Sequence, residues 1–158
     1  MSDSIRKQIL DSVGTVFKTI NGTGSYTTSF TGSIFDTPPG TVESQSLPCI
    51  LYRDAGCRTY DSNTKSGIPY DTHEHELSVE AEVKVTGTAT DIRKAIADVN
   101  VAIGTQAGSG GRWGGLATMT VPDGDAIAID IQDQQYISAI IKFTITFRTA
   151  AWDPYTAR

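Results

Sequence analysis

The amino-acid sequence predicts an α+β domain: a mainly antiparallel β-sheet with two α-helices packed on one face, and long strands projecting into oligomer contacts. Two long alternating segments and two stripes at helical spacing carry that expectation. In Tyr136 to Thr149, Ile137, Ala139, Ile141, Phe143, Ile145 and Phe147 share one parity, and only Ile140 interrupts the polar set on the other. Thr72 to Gly87 repeats the pattern, with His73, His75, Leu77, Val79, Ala81, Val83 and Val85 against Glu74, Glu76, Ser78, Glu80, Glu82 and Lys84. Successive strand side chains point to opposite faces, so each segment reads as a half-buried strand. At about 3.3 Å per residue the final segment spans roughly 46 Å, against about 40 Å for a compact body of this chain length. One end is therefore expected to project and lean on another subunit.

The remaining elements follow in order. Asp3 or Ser4 can cap a helix running to about Phe17, with Ile5, Ile9, Val13, Val16, Phe17 and Ile20 on one stripe. Asn21-Gly22-Thr23-Gly24 stops it, and Ser25 to Thr31, rich in Thr and aromatic residues, reads as a first strand. Asp36-Thr37-Pro38-Pro39-Gly40 is expected to form a loop or extended arm, and Pro48 to Arg53 a short strand. Asp54 to Asp71 has no periodicity and reads as a long loop. Thr88 or Thr90 caps a second helix with Asp91 in its first turn, a stripe of Ile92, Ala95, Ile96, Val99 and Ile103, and an end at Gly104. A Gly-rich loop, Gly108 to Gly115, precedes two strands, Leu116 to Val121 and Ala126 to Ile131, around Pro122-Asp123-Gly124. The last three strands are joined by short connections, which favours antiparallel pairing.

The 158 residues suit one domain with its own core. No apolar stretch approaches a membrane span, so no membrane partner is expected. The N-terminus lacks the apolar core of a signal peptide, which predicts assembly in a cytoplasm. Net charge is −5, with no basic run, which argues against a sequence-reading nucleic-acid binder while permitting a surface past which DNA slides. Cys49 and Cys57 read as free thiols in a reducing compartment.

His73 and His75 on one strand face lie close enough to share a metal, but the adjacent glutamates point to the other face and leave no third ligand. The alternative is that both cap the wet end of the core face. Glu74, Glu76, Glu80 and Glu82 form a row that reads as a solvated face, an acid–base pair, or the wall of an acidic channel. The Gly108 to Gly115 loop lacks the Gly-Lys-Ser/Thr ending of a phosphate loop and follows a helix, so phosphate binding is not expected. Its Arg112-Trp113 pair reads either as an interface anchor or as a Trp folded back on its own sheet. No cofactor motif and no catalytic set emerge, so neither an enzyme activity nor a bound metal or cofactor is expected.

Several stretches resemble the tail terminator and tail-completion family of tailed bacteriophages. They are Phe17-Lys18-Thr19-Ile20-Asn21-Gly22-Thr23-Gly24-Ser25-Tyr26, Leu47-Pro48-Cys49-Ile50, His75 to Val83 running into the Asp91 to Ile103 helix, and Phe143 to Pro154 with its closing Arg-Thr-x-x-Trp-Asp-Pro. The resemblance implies a single α+β domain that forms a ring, hexameric in that family. The ring would cap the tail tube, halt its polymerisation, dock the head connector and pass DNA through its channel. Its implied partners are sister copies, the tail tube protein, the head-connector protein and viral DNA held without specificity, in the virion neck. It also implies Arg112, Trp113, Arg148 and Trp152 as candidate interface residues and Glu80 and Glu82 as candidate channel-facing acids. The Gly108 to Gly115 loop has no counterpart in the resemblance. Other neck, connector or minor tail roles remain alternatives, as does a metal-dependent hydrolase using His73 and His75.

Overall fold

A computed structural model describes residues 3–36, 47–108, 112–128 and 136–158. Its elements are α1 (Ile5–Phe17), β1 (Ile34–Asp36), β2 (Cys49–Tyr60), β3 (Thr72–Val85), α2 (Ala89–Gly108), β4 (Met119–Ala128), β5 (Ile137–Ala150) and β6 (Asp153–Ala157). They build one six-stranded sheet in the order β1-β2-β3-β5-β4, with β6 also on β5. All pairs are antiparallel except β1 with β2. The α+β class expected from the sequence is the class observed.

The two alternating segments pair with each other without a break, from Thr72 opposite Ala150 to Val85 opposite Ile137. Their apolar parities therefore form one surface. Leu77, Val79, Ala81 and Val83 lie beside Ile145, Phe143, Ile141 and Ala139, all buried. Both helices pack on this side. The apolar face of β5 is buried from Ala139 to Thr149 within one chain, so its length alone requires no sister copy for shielding.

Ser4 caps α1, its Oγ accepting from the Lys7 amide at 3.3 Å. The stripe Ile5, Ile9, Val13 and Phe17 is buried as its spacing requires. Gly14 sits on the same face directly over the Tyr52 ring of β2, where a methyl group would run into the phenol. Thr88 and Asp91 open α2: the Asp91 carboxylate accepts from the Thr88 amide at 2.8 Å and its hydroxyl at 2.9 Å. The helix continues past Gly104, because a lone helical glycine costs only about 1 kcal/mol and Ala102 and Ile103 are already anchored in the core.

Four other expectations are corrected. Ser25 to Thr31 is not a strand. The buried Asp98 carboxylate of α2 takes the Thr27 and Thr28 amides and the Thr27 hydroxyl at 2.6–3.0 Å, a tertiary pull that overrides local propensity. Pro48 to Arg53 is only the start of a strand. β2 passes through a bulge at Asp54/Gly56 and runs to Tyr60, which leaves a shorter loop before β3. Leu116 to Val121 and Ala126 to Ile131 are not two strands around a turn, because β4 is continuous through Pro122-Asp123-Gly124, which forms a second bulge. β1 and β6 were not anticipated. Residues 37–46, 109–111 and 129–135, including the Pro38-Pro39 arm and part of the Gly-rich loop, lie outside the described residues.

Gly14→Ala is expected to lose stability by about 1–3 kcal/mol through overpacking against Tyr52, despite a helix-propensity gain of up to about 1 kcal/mol. Urea denaturation checks it; a more stable variant would show that Tyr52 is free to move aside.

Candidate functional site

The sheet face opposite the helices carries the charge. Reading across strands, Tyr60, Glu74 and Arg148 share a row, as do Arg58, Glu76, Thr146 and Met119, and then Arg53, Glu80, Lys142 and Gly124. The glutamate row of β3 is therefore flanked by cations from β2 and β5. Arg53 pairs with Glu80 from one side, and Lys142 reaches it from the other at 3.1 Å. Lys84 lies 3.5 Å from Glu82 and over the Tyr136 ring. Glu74 is buried between Lys65 at 2.5 Å and Arg148 at 2.8 Å.

These environments differ, so the row is not a uniformly solvated face, one of its three readings from the sequence. Hydrogen bonds from Arg53 and then Lys142 hold the Glu80 carboxyl below its ordinary range. Burial alone would raise Glu74, but Lys65 and Arg148 outweigh it and the net shift is downward. Carboxylates held ionised in this way are poor general acids at neutral pH. Glu80 and Glu82 share the helix-free face, within a charge-compensated ladder and not as a bare acidic stripe.

The four expected interface residues separate. Trp113 is a core residue, 1% exposed, stacked 6.3 Å from Phe143 with its Nε1 donating to the Thr120 hydroxyl at 2.8 Å. Its expected place at an interface is thereby corrected. Arg112 to Gly115 all adopt positive φ, which buckles the loop and turns the indole inward. Left-handed backbone costs Arg112 and Trp113 about 1–2 kcal/mol each. Burying an indole of 150–250 Å² recovers about 4–6 kcal/mol, so burial wins. Arg112 stays exposed beside it. Arg148 is engaged with Glu74 on the helix-free face. Trp152, also at positive φ, is 91% exposed, with one edge on His73 at 5.0 Å.

His73 and His75 share a face with ring centroids 6.3 Å apart. His75 stacks on Phe147, and its two ring nitrogens meet the Thr59 hydroxyl at 3.0 Å and the Thr149 hydroxyl at 2.9 Å. Neither nitrogen is left for a metal, and no group of three ligating side chains occurs among the described residues. Burial, with His73 and Arg6 nearby, pushes the His75 pKa down. A pocket of about 220 Å³ opens here, lined in part by Ser4, Arg6, Cys57, His75 and Pro154. Burial raises the Cys57 thiol, and its Sγ faces the Arg58 carbonyl at 3.7 Å. A raised thiol beside a depressed imidazole is the reverse of an activated pair. Arg6 is committed to Asp54 at 2.5 Å. The hydroxyl partners of His75 were missed in the sequence, because Thr59 and Thr149 come from strands whose register the sequence leaves open.

No protein-family model matches the chain, and no curated protein matches its sequence.

Trp113→Ala is expected to destabilise the fold by about 3–5 kcal/mol, while Trp152→Ala stays within about 0.5 kcal/mol. Chemical denaturation of the two variants separates them, and equal losses would contradict the placement of Trp113. Acidification should act in two stages. Below about pH 6.5 the unfolded chain protonates His75 more readily than the folded one, so stability falls as pH drops. Below about pH 4.5 it falls again as protons remove the ion pairs of Glu74 and Glu80, whose folded pKa values are depressed. His75→Gln should flatten the first stage alone; an unchanged profile would assign that stage to another group.

Proposed function

We propose that this protein is a structural virion subunit of a tailed phage, a tail terminator whose ring caps the tail tube and offers a docking surface to the head connector. The reading is carried by the one-sided sheet. Its helices cover one face, and the other presents a wall of compensated charge. Copies arranged around an axis with that wall inward would line a channel with Glu80 and Glu82 beside Arg53, Lys84 and Lys142. Cations paired to carboxylates have little left for phosphates, so DNA would pass without being held. The resemblance in Ile20-Asn21-Gly22-Thr23-Gly24 and in Arg148 to Pro154 supports the same reading. In the latter stretch the structure puts Arg148 on Glu74, Thr149 on His75 and Trp152 on His73. Sister copies, the tail tube protein and the head-connector protein are the partners this role requires, and no cofactor enters it. Assembly in a host cytoplasm and residence in the virion neck follow from the same role.

Purified protein is expected to scatter light as a multiple of its subunit mass and to give rings in negative stain. A phage lacking it is expected to build overlong tails. Normal-length tails that fail to join heads would instead assign it to a connector role at the same joint. A compact monomer at high concentration, with normal joined tails when the protein is removed, would end the proposal.

A further inference from the structure

Glu74 and Glu76 stand on the helix-free face near the start of β3, and each commits one oxygen to the sheet around it. Glu74 Oε2 accepts from Arg148 of β5 at 2.8 and 2.9 Å. Glu76 Oε2 accepts from the Tyr60 hydroxyl of β2 at 3.0 Å. The ladder sets these holders in place, with Tyr60 and Arg148 lying opposite Glu74 on its two sides. The other oxygen of each carboxylate turns to a single ammonium. Lys65 Nζ donates to Glu74 Oε1 at 2.5 Å and to Glu76 Oε1 at 3.2 Å, and lies 4.9 Å from the centre of the Tyr60 ring. Two carboxylate oxygens and an aromatic face make a half-cage for a cation.

Cage and occupant belong to different parts of the fold. Tyr60, Glu74, Glu76 and Arg148 are strand residues, whereas Lys65 arrives on the connection 61–71. That connection has anchors of its own. The Asp61 carboxylate accepts from the Asn63 and Thr64 amides at 3.0 and 2.9 Å, and Ile68 is buried. Loss of the ammonium therefore dismantles neither the cage nor the turn. The Lys65 side chain is 41% exposed and that of Glu74 only 7%. An exposed ammonium is weakly held, but its departure leaves a buried carboxylate with one cation fewer. An empty cage would still call for a positive charge.

Geometry selects the kind of cation. A guanidinium fork pairs best with both oxygens of one carboxylate, and here Oε2 of each is already engaged. A calcium ion takes about six to eight oxygens. Only two are offered, and no group of three ligating side chains occurs among the described residues. A compact ammonium matches two single oxygens from separate carboxylates with its charge above a ring.

We infer that Tyr60, Glu74 and Glu76 form a binding site for a primary ammonium group, that Lys65 is its tethered occupant, and that a lysine side chain of another protein competes with the 61–71 connection for it. The tether holds Lys65 at an effective concentration of about millimolar order, so the chain shuts its own site to weak cations. The site stands independently of the tail-terminator reading.

Lys65→Ala opens the cage, and methylammonium is the probe. With ionic strength held constant by sodium chloride, methylammonium is expected to raise the Tm of Lys65→Ala by about 1–3 °C and that of the wild type far less. Tetramethylammonium, which has charge but no N–H donor, should not reproduce the shift. The double variant Lys65→Ala/Glu76→Gln should lose it. Equal shifts in wild type and Lys65→Ala, equal action of tetramethylammonium, or a shift that survives Glu76→Gln would each overturn the site. So would a Lys65→Ala protein that does not respond. Hydrogen exchange on the wild type tests the competition: amides of residues 63–66 should exchange faster as methylammonium rises, while those of β3 stay unchanged. Exchange at 63–66 that stays constant would show that Lys65 is not displaced and would overturn its role as a tethered occupant.

Discussion

The full-length antiparallel pairing of β3 and β5 is the constraint on which the other features depend. Because side-chain direction alternates with period two, fixing one register assigns every residue of both strands to a face at once. Slipping β5 by one residue against β3 would put Phe143 and Ile145 into water and Lys142 and Arg148 under the helices. Burying those charges among α1 and α2 would cost several kcal/mol per ion, so the register is strongly specified. The helices can then only lie on the side carrying Leu77, Val79, Ala81 and Val83.

The other side of the same ladder explains the electrostatics. Cross-strand pairing sets Arg53 and Lys142 on either side of Glu80 and Arg148 beside Glu74, while Lys65 of the β2–β3 loop reaches Glu74 and Glu76 and Lys84 of β3 itself reaches Glu82. The face is densely charged, with its glutamates matched by nearby cations. At the end where β3 begins, the same register brings Thr59 and Thr149 to the two nitrogens of His75. That closes the imidazole to metal, and burial lowers its pKa.

Strain is concentrated where the backbone must invert to place an aromatic ring. Arg112 and Trp113 accept left-handed conformations in exchange for a buried indole on Phe143. Trp152 accepts the same conformation while remaining in solvent, so its own burial within the chain does not offset the cost.

The sequence by itself determined the fold class, both helices with their buried stripes and two candidate caps each, and the two long strands with their faces. Those features are periodic and local: Ile5-Ile9-Val13 or Leu77-Val79-Ala81 can be read without knowing any partner. It also placed Glu80 and Glu82 on the face away from the core. Only the tertiary structure decided that Ser25 to Thr31 is held by Asp98, that β2 and β4 continue through their bulges, that Trp113 turns inward, and which cations neutralise which glutamates. Each of these turns on a contact between residues distant in sequence, such as Thr27 with Asp98 or Glu74 with Arg148. Local propensity carries no information about such partners, because the energy that selects them appears only once the sheet register is set.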